Sequence, residues 1–198
     1  MRKKSHISLS GYLLNSMKND GLIHHKKAFY IGSILPDCIP SFITRRHTIE
    51  ETFDILKKEI IKITDNYDTD RGIDRYFSRH LGVVTHYLAD YFTYPHNNIF
   101  TGNIKEHCGY EKKLITALRS YVKSEEAVKD REKNFLFDTV DEILKFIKKM
   151  HEEYLKVAKK IKVDCDYIVE LCHKVVDGIL QIFERNYRDA MMIEINAA

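Results

Sequence analysis

Residues His80 to Glu111 read HLGVVTHYLADYFTYPHNNIFTGNIKEHCGYE, a stretch that holds four of the chain's ten histidines. His86 and Asp90 are four residues apart, and so are His107 and Glu111. Four residues is slightly more than one helical turn, so each pair shares a helix face. The first pair sits in a helical pattern running from about Ile73 to Tyr94. Pro95 closes that helix and His96 follows at once. Three imidazoles and two carboxylates can therefore converge from two helices and the loop between them. Nitrogen and oxygen donors in this mix suit zinc, and sites of this kind usually activate water. A lone HxxxD is more often a hydrogen bond on a helix surface. A second such pair, with a histidine between the two, lifts the pattern above that background. His80 lies six residues before His86, about 120° around the helix, and reads as a core or supporting residue.

Working outward, helical spacing of apolar residues dominates, and only three prolines and eight glycines interrupt it. A first helix is expected from about Ser5 to Met17, burying Ile7, Leu9, Leu13 and Leu14, with Asn19-Asp20-Gly21 ending it. A second covers about His25 to Ile34 and stops before Leu35-Pro36-Asp37, because a residue preceding proline avoids the α region. A loop through Pro40 to His47 follows. Thr48 and Glu51 then form a capping box for a helix carrying Phe53, Leu56, Ile60, Ile61 and Ile63. After the central helix and the Pro95 to Asn103 loop, a helix spans about Lys105 to Lys123. Two more cover about Val128 to Lys160, including Phe135, and about Asp166 to Arg188. No alternating segment bounded by turn dipeptides suggests a strand. The expected fold is all-α, one compact multi-helix domain over residues 1–198.

Composition sets outer bounds. The 198 residues suffice for one domain with a sizeable core. Lys plus Arg number 32 against 29 Asp plus Glu, a net charge of +3 that is too mild to argue for nucleic acid. The basic clusters Arg2-Lys3-Lys4, Lys26-Lys27 and Arg45-Arg46 suit a phosphate-bearing substrate, although a solvated surface is the commoner reading. Cys38, Cys108, Cys165 and Cys172 show no CxxC spacing, so neither a disulfide framework nor a thiolate zinc site is expected. The basic N-terminus lacks an apolar core and a cleavage site, and no run approaches a membrane span. A cytoplasmic location is the expectation.

The N-terminal quarter supplies further donors. Asp37 follows Pro36 in an irregular segment, where functional side chains tend to sit. His47 lies at the far end of the same loop, and His6 begins the first helix. Each alone reads as surface; together with the central stretch they would serve a site of two or three metals. His24 and His25 read as exposed, and His151, beside Glu152 and Glu153, as part of a solvated face. Glu170-Leu-Cys-His173 matches one ExxH of di-iron bundles, which need two. The chain has no His-Asp dipeptide, no Gly-rich phosphate loop and no nucleophile elbow.

On LGVVTHYLADYFTYPH followed by EHCGYE, the chain resembles the bacterial zinc-dependent phospholipases C. That family carries a histidine, an aspartate four on, a histidine six further on and then HxxxE. Here those are His86, Asp90, His96, His107 and Glu111. The resemblance covers roughly residues 5 to 120 and implies an all-α fold. It implies one zinc held by Asp37, His47, His86 and Asp90, and a second held by His96, His107 and Glu111. A third would take His6 with Asp90 bridging. For that ion the family uses an N-terminal tryptophan, and this chain has no Trp. Asp37 is implied as general base.

The activity implied is hydrolysis of a glycerophospholipid to diacylglycerol and a phosphorylated head group by metal-activated water. The implied partner is a phospholipid or other phosphodiester, met in transient contact with a membrane surface; no stable nucleic-acid partner is expected. Two alternatives stay open. One is a zinc-dependent single-strand nuclease of the same architecture, although those enzymes carry HxxxD where this chain has His107 and Glu111. The other is a non-catalytic metal-binding relative.

Overall fold

The computed structural model describes residues 1–39, 45–129 and 136–197, the side chains of 128, 129 and 193–197 excepted. Among the described residues there is no strand. The helices are α1 (Lys3–Met17), α2 (Asp20–His24), α3 (Lys26–Ile34), α4 (Ile49–Lys62), α5 (Arg75–Tyr91), α6 (Ile104–Tyr121), α7 (Glu125–Lys129), α8 (Val140–Val157) and α9 (Ile161–Ala197). Single 3₁₀ turns follow α3 at Leu35–Asp37, precede α5 at Thr69–Arg71 and follow α5 at Tyr94–His96. No helix among the described residues is long and apolar enough to cross a membrane.

The architecture is built around α5. Every residue from Leu81 to Tyr91 is buried, so beyond its first turns, where Arg75 and Arg79 are exposed, this helix has no solvated face and is wrapped by α1, α3, α4 and α9. Its start is set by Asp74, whose carboxylate accepts the Phe77 N–H at 2.8 Å. Because the Leu81–Tyr91 part is enclosed on all sides, His86 and Asp90 must find polar partners inside the protein.

The tightest packing is between α3 and α5. A Cβ at Gly32 would land on the carbonyl oxygen of Arg79, and one at Gly82 on that of Phe29. The two helices therefore cross with their backbones in contact, which requires the missing side chains. Gly82→Ala is expected to cost about 3 kcal/mol through overpacking, and to lower Tm by roughly 10 °C. Thermal denaturation followed by circular dichroism checks this. A drop under roughly 2 °C would mean that the backbones do not touch.

Several local expectations meet a different outcome. The chain leaves α1 through Lys18 in the left-handed region (φ 50°). Asn19 does not merely end α1; it caps α2 by accepting the Leu22 N–H at 3.1 Å. Ile7 is 39% exposed. Leu35 sits in the α region (φ −58°, ψ −43°) despite preceding proline, because a tight turn closed by Cys38 N–H to Leu35 O at 2.9 Å takes over there. Thr48 accepts the Glu51 N–H at 3.4 Å, but the Glu51 carboxylate accepts the Arg46 N–H instead, so only half of the capping box forms. The full box is at α6, where Asn103 and Glu106 cap reciprocally. Of the single helix expected over Val128 to Lys160, the described residues show the end of α7 and, separately started by Thr139, α8. Phe135 and the Pro40 to Thr44 part of the upstream loop lie outside the described residues. The last helix is longer than expected, Ile161–Ala197.

Candidate metal centre

Asp90 is the hub of the centre. It is fully buried, and one carboxylate oxygen lies 2.9 Å from His47 Nδ1, 3.2 Å from His86 Nε2 and 3.7 Å from His96 Nδ1. The other accepts a hydrogen bond from the α-ammonium of Met1 and lies 3.4 Å from His6 Nε2. Burial alone would raise its pKa. The surrounding imidazoles and the ammonium reverse that and hold the carboxyl well below its ordinary value.

His86 shows how the fold aims a ligand. Its Nδ1 lies 2.8 Å from the carbonyl oxygen of Ser33, a group that the α3–α5 crossing brings within reach. A carbonyl only accepts, so Nδ1 carries the proton and Nε2 keeps its lone pair. That lone pair faces His47 Nδ1 at 3.0 Å and the Asp37 carboxylate at 3.8 Å. Asp37, His47, His86 and Asp90 thus converge from the Leu35–Asp37 turn, the residue before Thr48, and α5. His6 stacks on His86 with ring centroids 4.0 Å apart. Neither His6 ring nitrogen has a hydrogen-bond partner among the described residues. Burial and the neighbouring His86 push its pKa down to about 3, so the ring is neutral and its nitrogen lone pair is available.

A second group forms where the Tyr94–His96 turn meets α6. Glu111 Oε1 lies 3.2 Å from His96 Nε2 and 3.3 Å from His107 Nε2. Burial would raise the Glu111 carboxyl; hydrogen bonds from His107 and His96 outweigh it and push the pKa far down. The Met1 amine bridges the two groups, 2.8 Å from His96 Nε2 and 3.3 Å from Glu111 Oε1. This backbone group was not anticipated from the sequence, which looked for a tryptophan at that place. Three sets have ligand atoms mutually within 4.8 Å: His6–Asp37–His86, His47–His86–Asp90 and His96–His107–Glu111. All eight residues singled out in the sequence fall in these sets.

The donor set fits zinc. It is made of imidazole and carboxylate, one imidazole is buried without a partner, and another is held by its far nitrogen as a ligand requires.

Residues outside the centre hold it in place. Asp164, fully buried near the start of α9, accepts the Tyr94 N–H at 2.9 Å, the Tyr110 hydroxyl at 2.9 Å and the Tyr154 hydroxyl at 2.8 Å. Tyr94 lies two residues before His96 and Tyr110 directly before Glu111, so one carboxylate braces both sides of the second group. His151 is 5% exposed rather than solvated. Its Nε2 donates to Asn97 Oδ1 at 2.7 Å, while the Asn97 amide donates to the Tyr91 and Thr93 carbonyls. That network fixes the chain just after His96. His80 instead pairs with Glu59 of α4, away from the centre. Tyr91 and Phe92 are core residues, 0% exposed.

Fold and centre together define an all-α protein with a buried histidine–carboxylate cluster able to hold divalent metal. A family model described as zinc dependent phospholipase C matches residues 5–161. The chain belongs to that family. The match reaches through α8, beyond the residue 120 to which the resemblance was traced. No curated protein and no solved structure matches the chain.

Proposed function

We propose that the protein is a zinc-dependent phosphodiesterase of the phospholipase C type, releasing diacylglycerol and a phosphorylated head group. The observation that carries this reading is the clustering of His47, His86 and Asp90, with Asp37 3.8 Å from both His47 and His86 and with His96, His107 and Glu111 beside them, inside a segment matching that family. Bound zinc would supply Lewis acidity, neutralising charge that develops on phosphate oxygens and making water acidic enough to ionise near neutral pH. The protein's own groups do the rest. Asp90, ionised and enclosed, supplies fixed negative charge between the groups. His86 is held in one tautomer by Ser33. Asp37 is the most open carboxylate of the centre, its side chain 23% exposed. It can meet an incoming water and take its proton as that water attacks phosphorus. The bond that breaks is between phosphorus and the glycerol oxygen.

Zinc measured by mass spectrometry on protein purified without chelator or tag tests the centre. Wild type should carry at least two ions per chain, and His86→Ala should carry fewer. Turnover of a soluble short-chain phospholipid, against a single-stranded oligonucleotide, tests the chemistry. Wild type without stoichiometric metal would sink the proposal. Oligonucleotide turnover alone would move the reading to a nuclease.

A further inference from the structure

Beside the second group opens a cavity of about 730 Å³. Arg2, Lys3 and Lys4 from the start of α1, with Lys112 and Arg119 from α6, line it, and all five are exposed. Lys112 and Arg119 are seven residues apart, so they share one face of α6. Arg2 and Arg119 are already tethered, Arg2 to the Cys108 carbonyl at 3.2 Å and Arg119 to Ser8 Oγ at 3.3 Å. No carboxylate pairs with Lys3, Lys4 or Lys112 among the described residues.

The carboxylates on this lining are Asp37 and Glu111, and both belong to the candidate metal groups. With those two engaged, every remaining formal charge on the described lining is positive. No Phe, Tyr or Trp lines the cavity among the described residues; its one ring is the imidazole of His96, a member of the second metal group.

We infer that the cavity receives a head group bearing a second anionic group, such as a further phosphate, and disfavours choline. This rests on the phospholipase reading above. A quaternary ammonium is recognised by aromatic faces or by a carboxylate, and the described lining offers no Phe, Tyr or Trp and no carboxylate outside the candidate metal groups. Nucleic-acid bases are gripped by aromatic stacking, which is missing for the same reason. A cleft of one charge sign between low-dielectric walls concentrates the opposite charge, and Arg and Lys are the natural partners of phosphate oxygens. The head group would lie between the first turn of α1 and α6, with the scissile phosphate at His96 and Glu111.

The test uses three soluble lipids that differ only in head group: choline, glycerol and inositol monophosphate. The zinc-loaded full chain should prefer the inositol monophosphate lipid over the choline lipid by roughly 10-fold or more in kcat/KM, the worth of a few solvent-exposed ion pairs. Lys3→Gln with Lys112→Gln should remove most of that preference through KM, lowering turnover of the inositol monophosphate lipid far more than that of the choline lipid. Equal or better turnover of the choline lipid would overturn the inference, as would an equal loss on all three lipids or faster cleavage of a single-stranded oligonucleotide. Calorimetric binding of inositol bisphosphate and of phosphocholine separates this inference from the lipase reading. If no lipid is turned over, selective binding of inositol bisphosphate that the double variant loses keeps the anionic cavity while the lipase reading falls. Equal binding of both by both proteins removes the cavity as well.

Discussion

Asp90→Asn is expected to strip zinc from the protein and to lower phosphodiester hydrolysis by about 1,000-fold or more, the scale on which metal-assisted steps depend on their ligands. The oxygens of Asp90 meet His6, His47, His86 and His96 and the Met1 ammonium. An amide removes the negative charge enclosed among them, and whichever way it turns, one accepting oxygen is replaced by an N–H₂, against the Met1 ammonium or beside His47 Nδ1. The metal-free fold should suffer too, because a buried ammonium left without its counter-ion costs about 3–5 kcal/mol. Glu111→Gln provides the contrast. Glu111 meets His96, His107, the Met1 amine and Arg2 but none of Asp37, His47 and His86, so this variant should leave the metal at His47 and His86. Zinc content, thermal denaturation and hydrolysis measured on both variants separate loss of a ligand from loss of the fold. Full zinc content with activity within about 10-fold in folded Asp90→Asn would show that Asp90 is not at the centre.

The second large effect falls on stability, at a carboxylate outside the candidate metal sets. Asp164→Ala should destabilise the protein by about 4 kcal/mol and lower Tm by roughly 10 °C. The substitution leaves the Tyr94 N–H and the hydroxyls of Tyr110 and Tyr154 without their shared acceptor. Asp164→Asn should be mild. Its oxygen can accept from Tyr94 and Tyr110 while its N–H₂ donates to Tyr154, whose hydroxyl turns to accept.

The two variants also differ from wild type in pH dependence. Burial pushes the Asp164 carboxyl up to about 6 from 3.8, against the pull of its three hydrogen bonds. Between those values the folded state holds a proton that the unfolded chain has released. Stability therefore falls as pH rises through this window, by about 3 kcal/mol in all, and levels off above it. Asp164→Asn should abolish this slope in urea denaturation series. An unchanged slope would mean that another group titrates there.

The spacing of His86, Asp90, His96, His107 and Glu111 was readable because periodicity alone places such residues on helix faces and at helix ends. Asp37, His47 and His6 stood out only as further donors, and grouping them with α5 needed the resemblance, since nothing local links them to that helix. What stayed hidden has a common physical character. Asp164 is one aspartate on a helix with many charges, and two of its three partners, Tyr94 and Tyr110, come from distant parts of the chain. His151 sits beside two glutamates, and only the rotation of α8 turns it inward. The Met1 amine is a backbone group and has no side-chain signature. Gly82 was the one missed clue that a closer reading could have used, since a glycine inside a strongly apolar helix marks a close backbone approach.

The crossing of α3 and α5 also bears on where the chain can change without harm. Two backbones in contact cannot slide past one another, so the positions of Ser33, His86 and Asp90 are set by that joint and not by the segments that lead into it. Lengthening the connection from Thr64 to Ile73, or the one from Asn98 to Thr101, would leave the distance between His86 and Ser33 as it is. A single extra residue inside α5 between Gly82 and Asp90 would rotate the aspartate by about 100° and turn it away from the imidazoles. Variation in length belongs at the periphery of this protein, and its centre behaves as a dovetail.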